Sequence, residues 1–308
     1  MNPDWPALDY AGWAGTKDHL HLLTQIVGKV RLAHTPWINH SWQVTLYPTV
    51  RGLTTGPIPA PIQVQIDFDF QDNALFVANA DGAMQRLPLG EGSVAAAHGD
   101  ILGALAELGA PTQIDAMPSE FPGAIPFAAD DAARPWDADA VRRFHRVILS
   151  ATRVFTQDRS AFLGKASPIH FFWGSCDLAV TRFSGRVAPK HPGGMPGLPD
   201  AVTCEAYSHE EASLGFWPGD PRHPRAAFYA YAYPAPDGYA AADAGPGAYD
   251  GALGEFLLDY ETMRSSSDPD ATLLAFARAT YDAAADLGHW DRAKLDCPIG
   301  VPGQPREV

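Results

Sequence analysis

Cysteine is scarce in this chain of 308 residues, which contains only Cys176, Cys204 and Cys297. The three cysteines are widely spaced and form no CxxC pair. This pattern excludes the disulfide framework of a small secreted protein, and it excludes a thiolate zinc knuckle. The first residues, MNPDWPALDYAGW, also lack the basic and apolar segments of a secretory signal. We therefore expect a protein of the reducing cytoplasm.

Positive charge and long apolar runs are also lacking. The chain has 22 Lys and Arg residues against 36 Asp and Glu residues, so its net charge is −14. Such a surface repels nucleic acid and anionic lipid. No stretch of about 18 apolar residues occurs that would span a membrane. The sequence therefore predicts no nucleic-acid partner and no membrane partner, and a small-molecule ligand is the partner that we expect.

Apolar residues make up 46% of the chain, and their spacing predicts an α+β fold. Helical periodicity comes first, then apolar and polar residues alternate as in half-buried strands of an antiparallel meander, and a second helix follows. The predicted elements are a helix at 16–33, strands at 40–51, 62–70, 74–78 and 84–89, and a helix between Ser93 and Gly109. The first part of the chain is thus a helix, a sheet and a helix.

The same order of elements returns after a stretch rich in Pro and Ala. The second set is a helix at 138–161, strands at 170–183, 226–234 and 255–260, and a helix from Asp268 to Gly288. We interpret the chain as two diverged copies of one unit, related by an internal pseudo-twofold duplication, with sheets that join or face each other. The predicted segments are 1–116 for the first unit, 117–137 for a linker, 138–292 for the second unit with an insertion at 184–226, and 293–308 for a flexible tail. The two units are expected to pack as one compact body.

Several phrases of the sequence resemble those of one protein family. They are PWINHSWQVTLY, QIDFDF, SPIHFFWGSCDLAVTRFSGR, EAYSHE and FYAYAYP. On these phrases the chain is similar to an uncharacterised bacterial family of proteins with a domain of unknown function, and the likeness extends over nearly the whole chain. The resemblance implies kinship and a bacterial cytoplasmic setting. It implies no activity and no catalytic residues.

The insertion at 184–226 is where the two halves differ most, and long insertions are often functional loops. It contains VAPKHPGGMPGLPD, which has the composition of a mobile lid, and then His209, four residues after Glu205. With His170 and Asp177 on the preceding strand, these residues suit a two-histidine, one-carboxylate metal centre or a metal-free acid/base pair. We predict His170, His209 and Asp177 as catalytic residues, and His170, His209 and Glu205 as candidate ligands of a divalent metal. Histidines at strand ends are, however, more often structural.

Substrate contacts are predicted on the neighbouring strands. Arg182 and Arg186 are candidates to hold an anionic substrate, because a guanidinium group pairs well with carboxylate and phosphate. Trp173 and Tyr231 are candidates to line an aromatic pocket, although cross-strand packing is the more common role of such a stripe.

A second polar group occurs in the first half of the chain. His40, together with Asp67 and Asp69 of the alternating strand at 62–70, is a second candidate site. We favour structural ion pairs for these carboxylates, with Arg51 or Arg182 as partners, because buried carboxylates need such partners.

Glycine-containing motifs give no stronger signal. Lys29 and Lys165 each follow a glycine and are candidate anion contacts, but the rest of a phosphate loop is missing. The patterns GxSxG, HExxH, GxGxxG and EF-hand do not occur.

The predicted function is that of a small-molecule enzyme with a His/carboxylate site in the cleft between the halves. The alternative is a non-catalytic ligand-binding or scaffold protein.

Overall fold

A computed structural model describes residues 4–306 and shows a mixed fold of helices and antiparallel sheets. The elements of the first half are α1 (Tyr10–His34), β1 (Tyr47–Pro48), β2 (Gly52–Thr54), β3 (Val64–Asp69), β4 (Ala74–Asn79), β5 (Met84–Pro88) and α2 (Val94–Glu107). Those of the second half are α3 (Ala138–Arg159), β6 (His170–Phe172), β7 (Asp177–Val187), α4 (Asp200–Ala206), β8 (His209–Trp217), β9 (Ala227–Tyr233), β10 (Ala248–Asp250), β11 (Glu255–Asp259), α5 (Tyr260–Arg264), α6 (Pro269–Leu287) and α7 (Arg292–Leu295). The predicted α+β class is confirmed.

The strands form two antiparallel sheets that meet at one edge. The first sheet has the order β1-β2-β3-β4-β5, and the second has the order β10-β11-β9-β8-β7-β6. Leu46 and Phe171 join them, because each backbone N–H of this pair donates to the carbonyl of the other at 2.9 and 2.8 Å. The order helix, sheet, helix is present in both halves, and the internal duplication stays a prediction.

Local chemistry explains where the helices begin. The side chains of Ser93, Asp137 and Asp268 accept hydrogen bonds from backbone N–H groups in the first turns of α2, α3 and α6. The N–H groups in the first turn of a helix have no carbonyl partner within the helix, so these side chains satisfy them. Pro269, at the first position of α6, needs no such partner because it has no N–H.

One continuous cluster of buried apolar side chains contains residues from both halves. On the helix-facing side of the second sheet, Phe216 and Phe228 meet Phe144 and Phe155 of α3, with ring centroids 6.1 to 6.4 Å apart. The opposite side of this sheet is polar. No helix within residues 4–306 is long and apolar enough to cross a membrane.

Two of the predicted strands are interrupted by turns and are not single strands. Residues 39–41 are a single 3-10 turn, and the strand itself is reduced to β1. Residues 49–51 then turn between β1 and β2, which leaves Val50 at the tip with 83% of its surface exposed. Pro48 contributes to this, because it has no N–H for a longer ladder. The predicted strand at 170–183 is a hairpin of β6 and β7, because the chain turns at 173–176 and Cys176 takes a positive φ of 61°.

The segment at 184–226 is part of the second sheet and not an inserted loop. It contains the end of β7, all of α4 and all of β8. Since β8 lies between β7 and β9, the second sheet needs this segment to be continuous. Two parts of the segment are irregular, which are 188–199 before α4 and 218–226 after β8. The first of them contains most of the sequence expected to form a lid.

Candidate active site

The polar face of the second sheet carries a group of buried and half-buried acidic and phenolic side chains. The register pairs Ala179 with Gly215 and Gly215 with Tyr229, so residues of the same parity on these strands point to one side. The residues on this side include Asp177 of β7, Glu211 of β8, Tyr229 and Tyr231 of β9, and Glu255 of β11. We call these residues, together with the segments that pack against them, the polar cleft.

Two loop segments form the walls of the polar cleft. Glu120, from the predicted linker, lies against the hairpin turn, since a Cβ added to Gly174 would be 2.3 Å from its Oε1. A Cβ on Gly197, from the segment before α4, would similarly meet the Glu120 backbone nitrogen at 2.7 Å. Tyr207 follows α4, and its ring stacks on that of His191 with centroids 4.9 Å apart.

Glu120, Asp177, Glu211 and Glu255 form no ion pair with any residue in the described range 4–306. Buried carboxylates elsewhere have arginine partners, which are Arg182 for Asp158, Arg51 for Asp69 and Arg134 for Asp130. A carboxylate that is buried for structural reasons normally has such a partner. The four carboxyl groups of the polar cleft therefore differ from the structural acids of the same protein.

Burial keeps these carboxyl groups protonated at higher pH than usual. It raises the pKa of Glu211, which is 5% exposed, to about 8, against smaller lowering effects of Tyr231 and Lys165. Burial and the nearby charge of Asp177 raise the pKa of Glu120 to about 7, and burial, Asp177 and Asp250 raise that of Glu255 to about 7. Acids with such pKa values exchange protons near neutral pH.

Tyrosine hydroxyl groups connect the acids. Tyr207 donates to the hydroxyl of Tyr231 at 3.3 Å, and Tyr231 donates to Glu211 Oε1 at 3.5 Å. Tyr229 donates to Asp177, which also accepts from Ser175 Oγ at 2.7 Å. The pKa of Asp177 is raised by burial in spite of these two hydrogen bonds.

His40 and Lys165 lie at the end of the polar cleft beyond Glu211. His40 Nδ1 donates to the carbonyl of Ala206 at 2.6 Å, so Nε2 is the acceptor for Lys165 Nζ at 2.8 Å. The backbone N–H of His40 donates to the carboxylate of Glu205 at 3.0 Å. Burial lowers the pKa of Lys165 although Glu205 and Glu211 both raise it. This lysine therefore loses a proton more readily than a solvated one.

Strained backbone coincides with this region. His40, Ser41, Glu120 and Cys176 are non-glycine residues with φ between 54° and 61°. Each such conformation costs about 1–3 kcal/mol and tends to persist at functional sites. His40 and Glu120 are themselves part of the polar cleft, and Cys176 directly precedes Asp177.

Comparison with protein families assigns the chain to one of them. The model of DUF5996, described as a family of unknown function, matches residues 5–297. The chain belongs to DUF5996. Membership in a family of unknown function was expected from the phrases of the sequence and is confirmed. Comparison with curated proteins gives no match, and neither does comparison with solved structures.

The candidate metal ligands are not assembled in this DUF5996 chain. Within residues 4–306 no three His, Cys, Asp or Glu side chains are grouped to hold a metal ion. His170 is completely buried, neither of its ring nitrogens has a hydrogen-bond partner, and burial lowers its pKa to about 3. Its ring packs against Trp42 and Tyr47 instead. His209 lies beside His40, with ring centroids 5.7 Å apart, and Glu205 binds the backbone of His40.

Three of the predicted substrate contacts have structural partners. Arg182 points to the helix-facing side of β7, where it donates to Asp158 Oδ2 at 2.6 Å. Arg186 donates to the carbonyls of Gly288 and His289 at the end of α6. Trp173 is 7% exposed and donates to the carbonyl of Val44 at 2.7 Å. These side chains are therefore already engaged away from the polar cleft.

Of the predicted site residues, Asp177 and Tyr231 lie in the polar cleft, and His209 lies beside His40 at its end. Lys165 was considered only as an anion contact, and His40 was grouped with Asp67 and Asp69. The ion pair favoured for Asp69 is present, with Arg51 Nε at 2.5 Å. Sequence reasoning missed Glu120, for which no periodic signal exists. It also missed Glu255, although the alternation of EFLLDY places this residue on the same face as Leu257.

Proposed function

We propose that this DUF5996 protein is an enzyme that carries out acid/base chemistry on a small, uncharged, hydrogen-bonding molecule in the polar cleft. The observation that carries the proposal is a set of four carboxyl groups, of which Asp177 and Glu211 are buried and Glu120 and Glu255 are half-buried. None of the four has an ion-pair partner among residues 4–306. Protein stability alone does not favour such groups.

The pKa values divide the acids into two roles. Glu211, with a pKa of about 8, is mostly protonated at neutral pH and is suited to donate a proton. Glu120 and Glu255, with pKa values of about 7, are present in both forms and are suited to accept one. One site then holds an acid and a base at the same pH, which is the usual requirement for proton transfer.

Lys165 and His40 add a basic end to the same site. The hydrogen bond to Ala206 fixes His40 in the tautomer whose Nε2 is unprotonated, and this atom holds Lys165. A hydroxyl or carbonyl oxygen placed between Lys165 and Glu211 would have a proton donor on either side.

We also propose that the protein is cytoplasmic, and its three free thiol groups support this proposal.

The test uses two adjacent glutamates of β8 that point to opposite sides. We expect the purified protein to convert a component of a small-molecule metabolite extract, which untargeted mass spectrometry detects as a paired loss and gain. Glu211→Gln should abolish this conversion. Glu210→Gln should retain it, because Glu210 pairs with Arg186 outside the polar cleft. Equal conversion by wild type and Glu211→Gln would contradict the proposal.

A second candidate function is the non-catalytic binding of a small organic cation. It is favoured by the combination of unpaired carboxyl groups with the stacked rings of Tyr229 and Tyr231, whose centroids are 6.2 Å apart. Tetramethylammonium is the probe for this function, and its binding would ionise the acids and release protons. Calorimetry in buffers of different ionisation enthalpy measures the number of protons released. Proton release without any turnover supports this second function over the first.

A further inference from the structure

A cavity of about 150 Å³ lies in the first half of the chain, between α1, α2 and the first sheet. It shares no residue with the polar cleft. Most of its wall is apolar and includes Leu23, Phe68, Leu75, Leu87 and Ile101. An apolar protein cavity of about 150 Å³ takes up a molecule of the size of benzene.

His19 of α1 is the buried polar group in this wall. Its side chain is 2% exposed, and neither ring nitrogen has a hydrogen-bond partner within the described chain. The carbonyl of Pro135 faces the ring without reaching hydrogen-bond geometry. Burial and the charge of Arg134 lower the pKa of His19, so the ring is neutral and presents one donor and one acceptor.

Other buried histidines show what a purely structural role looks like here. His21 bonds the carbonyl of Gly174 at 2.9 Å, and His145 bonds that of Thr49 at 2.8 Å. His170 also has no hydrogen-bond partner, but it is surrounded by aromatic rings. Of these histidines, only His19 combines unpartnered ring nitrogens with a position in the wall of a cavity.

The mouth of the cavity carries negative charge. Glu91 and Asp100 are exposed there, and neither forms an ion pair with any residue from 4 to 306. The N-terminus of α2 does not offset them, because Ser93 Oγ already accepts from the N–H of Ala96 and the carbonyl of Asp130 accepts from that of Ala95. An anionic ligand is therefore disfavoured.

We propose that this cavity is a second ligand site, separate from the polar cleft, for a neutral one-ring aromatic alcohol or phenol. The ring fills the apolar part, and the hydroxyl group forms a hydrogen bond with His19. A carboxylate analogue is rejected by Glu91 and Asp100.

The test uses the full chain and three probes of similar size, which are benzyl alcohol, toluene and benzoate. Methyl resonances of Leu23, Leu87 and Ile101 report binding by NMR titration. In wild type we expect saturable shifts with benzyl alcohol and toluene, and much weaker binding of benzoate. His19→Leu should lower the preference for benzyl alcohol over toluene by about fivefold, the effect of one lost hydrogen bond. His19→Gln, which keeps a donor and an acceptor, should restore it.

A second pair of variants separates loss of the site from loss of the fold. Ala97→Leu adds volume at the cavity wall and should abolish binding of both benzyl alcohol and toluene. Ala106→Leu lies on the exposed side of the same helix and should bind both like wild type. Shifts centred on other residues, an unchanged preference in His19→Leu, or equal binding of benzoate would each overturn the proposal. None of these results depends on chemistry in the polar cleft.

Discussion

Replacing Glu211 by glutamine is expected to remove a pH-dependent loss of stability. Burial raises the pKa of Glu211 from 4.5 to about 8, although Tyr231 and Lys165 lower it. Between these values the unfolded chain has lost the proton while the folded chain still holds it, so stability falls as the pH rises. At about 1.4 kcal/mol for each pH unit, the difference between 4.5 and about 8 corresponds to about 5 kcal/mol.

The sign of the effect follows from the two states of the carboxyl group. Below pH 4.5 both the folded and the unfolded chain are protonated, and above about pH 8 both are ionised. Glutamine is neutral throughout, so it does not pay the cost of ionising in the enclosed cleft. We expect the free energy of unfolding of Glu211→Gln to exceed that of wild type by about 3–5 kcal/mol at about pH 9, and to be close to it at about pH 4.

Urea denaturation followed by tryptophan fluorescence measures this difference at a series of pH values. Glu120 and Glu255 are present in both proteins, so their contributions cancel in the comparison. Glu210→Gln is the control, because this neighbour is paired with Arg186 at the other face of β8. Parallel stability curves for wild type and Glu211→Gln across the whole range would refute the reasoning, since Glu211 would then ionise like a solvated acid.

Three further predictions concern the scaffold. Asp158→Asn should cost about 3–5 kcal/mol in the free energy of unfolding, because it leaves the buried guanidinium of Arg182 without its counterion; the double variant Asp158→Leu/Arg182→Met should recover most of it, and a double variant as unstable as the single one would contradict this. Gly28→Ala should cost about 1–3 kcal/mol, because the new Cβ would lie 2.1 Å from the ring of Trp173. Gly99→Ala, with no atom within 4 Å of its Cβ, should gain about 0.5–1 kcal/mol in the same urea titration.

Long periodic segments were predictable from the sequence because many residues repeat the same signal. The helix predicted at 16–33 is the centre of α1, and the helix from Asp268 to Gly288 agrees with α6 and its two caps. The predictions of one continuous strand at 40–51 and at 170–183 were wrong, because the alternation of apolar and polar residues continues through a tight turn without a change of period. The ladder is broken by the positive φ of His40, Ser41 and Cys176, and by the missing N–H of Pro48.

The candidate site was less predictable because it is assembled from distant segments. Asp177 and Tyr231 belong to two separate alternating segments, β7 and β9, and both were identified. Glu120 reaches the same place through a linker of irregular conformation, so its role depends on packing alone. Arg182 shows the reverse error, since its charge is suggestive in sequence but its parity on β7 turns it towards α3 and Asp158.

The junction of Leu46 with Phe171 also reduces the number of strand edges that are open to other chains. A free strand edge exposes unpaired N–H and C=O groups, on which a strand of another chain can assemble. Because β1 and β6 face each other at the junction, β5 and β10 are the outer edges among the strands of residues 4–306. β5 contains Arg86 and ends at Pro88, and β10 has three residues. Both are poor templates for intermolecular β-pairing, so the joined sheets protect the chain against aggregation through its edges.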